Sequence, residues 1–378
     1  MGIVILLFGT AMGYAQEGET EQEKKVDELI GDLGTRYWEK AADELVKIGE
    51  SSVTPLIKLL NIGSGRPSEN ANFVLARIGT PKALDAIVMA LRNQKFHHRV
   101  RAYAAAAIGD VGSKKFIVPL IAAFKTDNHW WVRNFVVGSL GKIGSEMVVD
   151  PLIGALDDEN QYVRRAAISE LGKLKPDKAV LPLIGCMKDD DWQIRLQIAE
   201  ILVDIGTETE APLLEVLKVD NKWAKVGAAN VLGKIGSEAA VFQMIFLLEE
   251  NDWMVRDEAA LALSRINSDR AVEPLLALLK HKTGYVREEA AWVLGEMRSK
   301  TAVESLIQAL DDRDMGWMAA VSLGKIGDGQ AIEPLKKKMT DQDSQIGQAA
   351  AWALARMNWK HPQNHEKETV RQAETSAR

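Results

Sequence analysis

The chain has 378 residues, of which 47% are hydrophobic and 26% are charged, and this composition excludes a disordered or collagen-like protein. Its 47 basic and 53 acidic residues give a formal net charge of −6, which argues against a general polyanion-binding protein. The single cysteine, Cys186, excludes an intramolecular disulfide and a thiolate cluster for zinc or iron–sulfur.

The amino-terminal segment has the pattern of a secretory signal peptide. Residues 3–8 form an apolar run, and Gly13 and Ala15 place small residues at positions −3 and −1 of a cleavage site before Gln16. The run is too short to span a bilayer, and no Lys or Arg precedes it. We predict a signal peptide over residues 1–15, an acidic linker over 16–23 and a periplasmic or extracellular protein. The alternative is a cytoplasmic protein whose apolar terminus docks on the first helices.

A short phrase, Leu140-Gly141-Lys142-Ile143-Gly144, recurs with variation along the chain at a mean spacing of about 31 residues. Its last position falls at Gly49, Gly79, Gly112, Gly144, Lys175, Gly206, Gly236, Asn267, Arg298, Gly327 and Asn358. Self-similarity at a fixed period predicts stacked structural repeats, none of which can bury its apolar face alone.

Each repeat contains two helical patterns. The first is predicted at Val53–Leu60, Val148–Leu156, Ala179–Met187 and Ala271–Leu279. Seven prolines mark its start, because proline is tolerated in a first helical turn: Pro55, Pro119, Pro151, Pro182, Pro212, Pro274 and Pro334. After an acidic turn, the second pattern follows, as in Val163–Gly172 and Val286–Gly295. We expect two helices of ten to thirteen residues in each repeat, with glycines ending the second helix.

This arrangement resembles the short HEAT-like repeats named after the phycobilisome lyases, from about Lys24 to Asn358. The predicted fold is all-α: a right-handed α-α superhelix (HEAT-like solenoid) of about eleven two-helix repeats over residues 24–358, with the second helices on the inner curve. Residues 359–378 are predicted to be a polar tail. The family includes chromophore lyases, hydroxylases, relatives of DNA glycosylases and plain binding scaffolds, so the resemblance implies architecture rather than function.

The chemistry of the enzymes in this family is not apparent in the sequence. The hydroxylases use repeated His-Glu pairs as iron ligands, whereas the only such pair here, His365-Glu366, lies beyond the last repeat. Cys186 occupies an apolar helix position typical of a core residue. We therefore predict no catalytic residue, no metal and no cofactor. A lyase-like enzyme or chromophore-binding protein resembling phycobilin lyases is the alternative, and an oxidoreductase resembling deoxyhypusine hydroxylase is the third option.

A basic residue recurs at one fixed position of the second helix, and an Asp often precedes it by six residues, as with Asp127, Asp158 and Asp189. Such arginines could bind phosphates, but we favour a structural arginine ladder, whose charge-assisted hydrogen bonds tie the turns of successive repeats together. The ladder comprises Arg101, Arg133, Arg164, Arg195, Arg256 and Arg287, with Lys225 in register.

The ten tryptophans, against five tyrosines and eight phenylalanines, concentrate on one stripe of the second helices. The stripe comprises the positions three before, one after and five after the ladder residue, which share one helix face. The candidate binding residues on it are Trp130, Asn134, Trp192, Leu196, Glu200, Trp253, Asp257, Glu288, Trp292, Trp317 and Trp352, and Trp131 and Trp223 lie at its rim.

We predict that this stripe forms a concave surface through which a monomeric, non-enzymatic scaffold binds a protein or peptide partner. A basic partner would add cation–π contacts with tryptophan and charge contacts with Glu200, Asp257 and Glu288. Glycan stacking is an alternative for an exported protein. Nucleic acid is disfavoured, because the aromatic residues lack a basic track beside them. The competing interpretation is that the tryptophans only cover the edge of a thin core.

Overall fold

The computed structural model describes residues 20–340 and 345–358. The predicted signal peptide, the linker up to Glu19 and the tail lie outside the described residues. Within them, the prediction of an all-α solenoid of eleven two-helix repeats is confirmed, because 22 α-helices pack as consecutive pairs. None of the described helices is long and apolar enough to cross a membrane.

The first helices of the repeats carry odd numbers. They are α1 (Glu21–Asp32), α3 (Glu50–Leu60), α5 (Pro81–Arg92), α7 (Ile117–Thr126), α9 (Val149–Gly154), α11 (Val180–Gly185), α13 (Glu210–Val216), α15 (Val241–Leu247), α17 (Val272–Leu278), α19 (Val303–Gln308) and α21 (Ile332–Met339). The helix α1 begins at Glu21, inside the predicted linker, because Thr20 and Glu23 form a reciprocal capping box.

The second helices carry even numbers and are longer. They are α2 (Trp38–Ile48), α4 (Gly65–Ile78), α6 (His98–Val111), α8 (Trp130–Ile143), α10 (Gln161–Leu174), α12 (Trp192–Ile205), α14 (Lys222–Ile235), α16 (Trp253–Ile266), α18 (Gly284–Glu296), α20 (Gly316–Ile326) and α22 (Gln345–Arg356).

The first helices are shorter than the sequence predicted. From α9 onward they have six to eight residues, and a three-residue 3₁₀ turn precedes each of them. In six repeats the proline that marks the start of the first helix is the third residue of that α-helix. Proline has no N–H, and at this position the preceding 3₁₀ turn already interrupts the α-helical hydrogen-bond pattern. Pro55 differs, since it is the sixth residue of α3, a helix that starts directly after Gly49.

The residues that end the repeats share a positive φ. All eleven positions of the recurring phrase have positive φ, including the four that are not glycine: Lys175 (45°), Asn267 (51°), Arg298 (52°) and Asn358 (58°). Most of them lie in the left-handed helical region, which ends a helix by turning the chain back, whereas Gly49 and Gly206 combine positive φ with ψ values of −131° and −142°. Both conformations favour glycine, which is the reason that glycine recurs there. The period in the sequence therefore reflects a backbone requirement of every repeat.

Exchanging residue types at these ends should change stability in opposite directions. We expect Arg298→Gly to raise the free energy of unfolding by about 0.5–1 kcal/mol, because a side chain at positive φ is strained. Gly112→Ala should lower it by about 1 kcal/mol, since no atom lies within 4 Å of the added Cβ and only the φ of 68° opposes it. Urea unfolding of both variants measures the two changes in the free energy of unfolding. If both changes had the same sign, the explanation would be contradicted.

Neighbouring second helices pack directly on one another through small residues. A Cβ on Gly233 would lie 2.7 Å from the Ala262 Cα, and one on Gly324 would lie 2.6 Å from the Ala353 Cα. The inward face of each second helix supplies the buried apolar residues, such as Val163, Ala167 and Leu171 in α10. The small residues thus allow neighbouring second helices to lie close together, and the outward positions of these helices are not needed for that contact.

The chain divides into two compact units, one ending at Pro182 and one beginning at Leu183. The division falls within α11. We call them the amino-terminal and the carboxy-terminal unit, and each carries its own candidate surface.

Candidate functional site

Each ladder arginine anchors the turn that precedes its own helix. The Arg133 Nη1 donates to the Asp127 carbonyl (3.2 Å), and the same nitrogen of Arg164 donates to the Asp158 carbonyl (3.0 Å). The contact recurs six residues before each arginine in the carboxy-terminal unit, from Arg195 to Asp189 (2.6 Å), from Arg256 to Glu250 (2.8 Å) and from Arg287 to His281 (2.8 Å). These bonds satisfy the carbonyl groups that a sharp turn leaves unpaired.

Several ladder residues also bind an acid in the following repeat. The Arg101 Nε lies 2.6 Å from an Asp127 oxygen, and both side chains are buried. The corresponding distances are 2.7 Å from Arg133 to Asp158 and 2.9 Å from Arg287 to Asp312. Lys225 pairs with Glu250 in the same way. Because Arg101, Arg133 and Arg287 are tied both to their own turn and to the next, they are poorly placed to bind phosphate.

The Asp127 carboxyl illustrates the electrostatics of this ladder. Its burial alone would raise the pKa, but hydrogen bonds from the Arg101 guanidinium and from the His129 amide outweigh the burial and hold the pKa below its ordinary value. Hydrogen bonds with Asp158 likewise raise the pKa of Arg133. The paired groups therefore stay charged over the physiological range.

Two ladder arginines have an aromatic ring where the others have an acid. Val219 and His281 occupy the positions at which the acids stand in other repeats. The Arg195 guanidinium instead lies 4.1 Å from the centre of the Trp223 ring, and that of Arg256 lies 4.0 Å from the Tyr285 ring. Trp223 thus joins two repeats by a cation–π contact. Its ring is held against Arg195, which makes it a structural residue as well as a predicted binding residue.

The carboxy-terminal unit exposes a row of stripe residues that we call the tryptophan face. Trp192 is 61% exposed and Trp253 is 64% exposed, and no described aromatic ring or cation stacks on either of them. The other predicted members in this unit are Leu196, Glu200, Asp257 and Trp352, which are exposed, and Glu288, Trp292 and Trp317, which are half-buried. Two large apolar rings kept in water make this face a candidate interaction surface.

Trp292 and Trp352 each lie beside a cation of their own chain. The Lys325 ammonium lies 5.4 Å from the centre of the Trp292 ring, and the Arg356 guanidinium lies 5.6 Å from that of Trp352. These rings already take part in cation–π contacts, so Trp192 and Trp253 are the two that have most to gain from a partner.

Carboxyl groups accompany the tryptophan face. Burial raises the pKa of Glu288, and burial followed by the charge of Asp257 raises that of its neighbour Glu289 to about 7. Glu289 was not among the predicted site residues, since a stripe drawn from helical spacing does not include it. Its carboxyl can gain or lose a proton near neutral pH, and a cation placed beside it would favour the charged form.

The amino-terminal unit carries a different arrangement, a series of ring contacts that we call the aromatic ribbon. Its ring centres lie 5.7 Å apart for Phe73–Tyr103, 5.9 Å for Tyr103–Phe135, 5.3 Å for Phe135–Trp131, 5.3 Å for Trp131–Trp130 and 5.2 Å for Trp130–Tyr162. The predicted residues Trp130 and Asn134 are half-buried here. Trp130 therefore packs among other rings, and the exposed rings of the ribbon are Trp131 in its interior and Tyr162 at one end.

Sequence reasoning missed most of the ribbon. Tyr103 and Phe135 each follow their ladder arginine by two residues, and this repeated position is the signal that could have identified them. Phe246 on α15, a first helix, is another exposed ring (69%) outside the predicted stripe. Counting tryptophans alone therefore underestimates the aromatic surface of both units.

The described residues contain no group of three or more His, Cys, Asp or Glu side chains that could hold a metal ion. Cys186 is half-buried at the start of a 3₁₀ turn, whereas the sequence placed it in the core of a first helix. The adjacent Met187 fills the core position instead, because the short α11 ends at Gly185.

Comparison with solved structures gives the same architecture. Kap121p superposes with a TM-score of 0.61 at 12% identity, over 94% of this chain and 47% of that one. Kap121p bound to Nup53p gives 0.61 at 13% identity, over 93% and 47%. Kap95p in its complex with RanGDP gives 0.50 at 14% identity, over 94% and 59%. The chain thus spans about half the length of these karyopherins, and at such identities the likeness concerns the fold alone.

A search of curated protein sequences gives no significant match. The profile of the HEAT repeats, by contrast, matches residues 94–160, 149–224, 210–285 and 272–355, which together form most of the solenoid. The chain therefore belongs to the HEAT-repeat family, whose α-solenoid fold is typically used for protein binding.

Proposed function

We propose that the chain is a non-enzymatic scaffold that binds a protein or peptide partner through the tryptophan face of its carboxy-terminal unit. The observation that carries the proposal is the exposure of Trp192 and Trp253, more than half of each side chain, on the outward face of α12 and α16. Exposed tryptophans of this kind become the main anchors of an interface when a partner covers them. The HEAT-repeat fold supports the proposal, since it offers successive helices as one binding surface.

A partner segment with Lys or Arg side chains fits this face best. The flat rings of Trp192 and Trp253 offer cation–π contacts, and the carboxylates of Glu200, Asp257 and Glu288 offer charge contacts. Glu289 adds a dependence on pH, because a cation binds its charged form and its pKa is about 7. Affinity should therefore rise as the pH increases through 7.

The proposal extends to the setting of the protein. We propose that it is exported, on the signal-peptide pattern of residues 3–15, and that it acts as a monomer. We further propose that its repeats belong to the short type named after the phycobilisome lyases, on the recurring phrase that ends each second helix. A scaffold with such repeats should show no visible absorption band when mixed with a bilin, and a band would favour the lyase-like alternative.

The double variant Trp192→Ala/Trp253→Ala tests the proposed surface. Partners captured from a native extract by the full chain are identified by mass spectrometry, and the affinity of the purified partner is then measured by calorimetry. Loss of two anchor tryptophans should weaken binding by at least about 100-fold, because each such residue contributes about 2 kcal/mol or more. The helical circular dichroism should not change, since both rings are exposed.

The matched control is Phe246→Ala, which removes an exposed ring from a first helix and should leave the affinity unchanged. Equal affinity of the double variant and the unaltered chain would refute the proposed surface. So would equal losses in the double variant and the control, because the effect would then not be specific to the tryptophan face.

A further inference from the structure

Three histidines of the amino-terminal unit form a stack at the start of α6 and α8. The ring centres of His97 and His98 lie 4.1 Å apart, and those of His98 and His129 lie 3.8 Å apart with an angle of 5° between the rings. We call this group the histidine stack. Its middle ring has an imidazole on each side, so that a positive charge on any member would lie within 5 Å of another ring.

The two outer histidines act as helix caps. The Nδ1 of His97 accepts a hydrogen bond from the Arg99 amide (3.4 Å), and the Nδ1 of His129 accepts one from the Trp131 amide (3.2 Å). A nitrogen that accepts carries no proton, so both imidazoles must be neutral in this arrangement. In four other second helices the cap position holds a residue whose side chain accepts without a change of charge near neutral pH, namely Asn160, Asp191, Asn221 or Asp252.

Cations lie on the elements around the stack. Those nearest in the chain to the three histidines, or lining the same pocket as His97, are Arg66 on α4, Lys95 before α6, Arg99 and Arg101 on α6, and Arg133 on α8. Each nearby carboxylate already binds an arginine: Glu69 binds Arg99 at 3.0 Å, Asp127 binds Arg101, and Asp158 and Glu159 bind Arg133. The amino-terminal ends of α6 and α8 add the positive ends of their helix dipoles.

The middle histidine responds to this environment. Burial, followed by the charges of His129 and His97 and of the two arginines on α6, lowers the pKa of His98. A histidine whose pKa is lower in the folded state stabilises the fold fully above its unfolded pKa of about 6.5, and that contribution is lost as the pH falls below this value.

We propose that the histidine stack is a pH-sensitive switch that holds the first turns of α6 and α8 at neutral pH and releases them on mild acidification. Protonation removes the acceptor nitrogens of both caps and places like charges in contact. Trp130 and Trp131 form the first turn of α8, and the rings of both belong to the aromatic ribbon, so release of this turn rearranges the exposed end of the ribbon. The switch lies in the amino-terminal unit and does not depend on the function proposed for the other unit.

The test compares the full chain with the double variant His97→Asn/His129→Asn at pH 7.5 and 5.5. Asn accepts the same cap bond at both values, as Asn160 does before α10. Amide exchange of residues 98–103 and 130–136, corrected for intrinsic rates, should show a loss of protection of about fivefold or more at pH 5.5 in the unaltered chain, because a lost cap shifts local opening by about that factor. The double variant should keep its protection.

Two further variants complete the test. His98→Ala leaves the caps in place but removes the central ring, and it should lose less protection than the unaltered chain. His281→Asn is the matched control, because the His281 Nδ1 also accepts an amide (3.2 Å, from Thr283) but lies outside any stack and 3.6 Å from Glu249. This control should behave as the unaltered chain. An equal loss of protection in all four proteins, or no loss in the unaltered chain, would overturn the switch.

Discussion

Replacement of Asp127 by Ala is expected to lower the free energy of unfolding by about 3–5 kcal/mol, the largest effect of any single change considered for this chain. The carboxylate is fully buried, and its oxygens bind Arg101 and the His129 amide. Removal of one partner leaves a guanidinium that is 8% exposed without its counter-charge. Urea unfolding measures the loss.

An exposed pair in the same unit provides the control for Asp127. Asp150 lies 2.9 Å from Lys178, but the two side chains are 76% and 50% exposed, and Asp150→Ala should cost less than about 1 kcal/mol. The pKa of Asp127 is lowered on folding, so its contribution is present above pH 4 and is lost as the pH falls through the lowered value. Similar losses for both variants at pH 7 would show that burial of the pair has little importance.

The second large effect is expected for Gly233→Val. An added Cβ would lie 2.7 Å from the Cα and 2.8 Å from the Cβ of Ala262 on the next second helix, and neither backbone can yield without separating α14 from α16. Overpacking of this kind costs about 1–3 kcal/mol, and the further methyl groups of Val place the expected loss at the upper end of that range. Thermal unfolding followed by circular dichroism reports it.

Gly138 offers the matched substitution in an open position. It lies inside α8, and no atom outside the local backbone comes within 4 Å of an added Cβ. Gly138→Ala should therefore be neutral or stabilise the helix by about 0.5–1 kcal/mol, because Ala has the higher helix propensity. A stable Gly233→Val protein together with a destabilised Gly138→Ala protein would contradict the packing described for the second helices.

The repeat architecture could be predicted from the sequence because a single backbone requirement recurs in it. The positions that end the second helices all have positive φ, and even Lys175 and Arg298, which are unusual residues for this conformation, were found by their spacing. The lengths of the first helices could not be predicted in the same way. Apolar spacing is nearly the same in a short α-helix followed by a 3₁₀ turn, such as α9 and residues 155–157, as in one continuous helix.

The candidate surfaces were only partly predictable, for a related reason. Helical spacing correctly identified Trp192 and Trp253 as outward residues, since their exposure depends on their own helices. The environment of Trp223 depends on a missing acid at position 219, which leaves Arg195 to stack on an aromatic ring. A contact such as that of Arg195 with Trp223 depends on an acid that the next repeat lacks, so it cannot be predicted from the sequence of one repeat alone.

The links between repeats also bear on how such a chain can evolve. The repeat that contains α7 and α8 presents Asp127 to the arginine before it and offers Arg133 to the acid after it. A tandem copy of this repeat would bring both an acceptor and a donor, so its insertion would leave no buried charge unpaired. Glycine takes the place of the donor in α20, where a Cβ on Gly316 would lie 2.9 Å from the Leu310 carbonyl. Duplications are therefore easier to accommodate among the ladder repeats than after them.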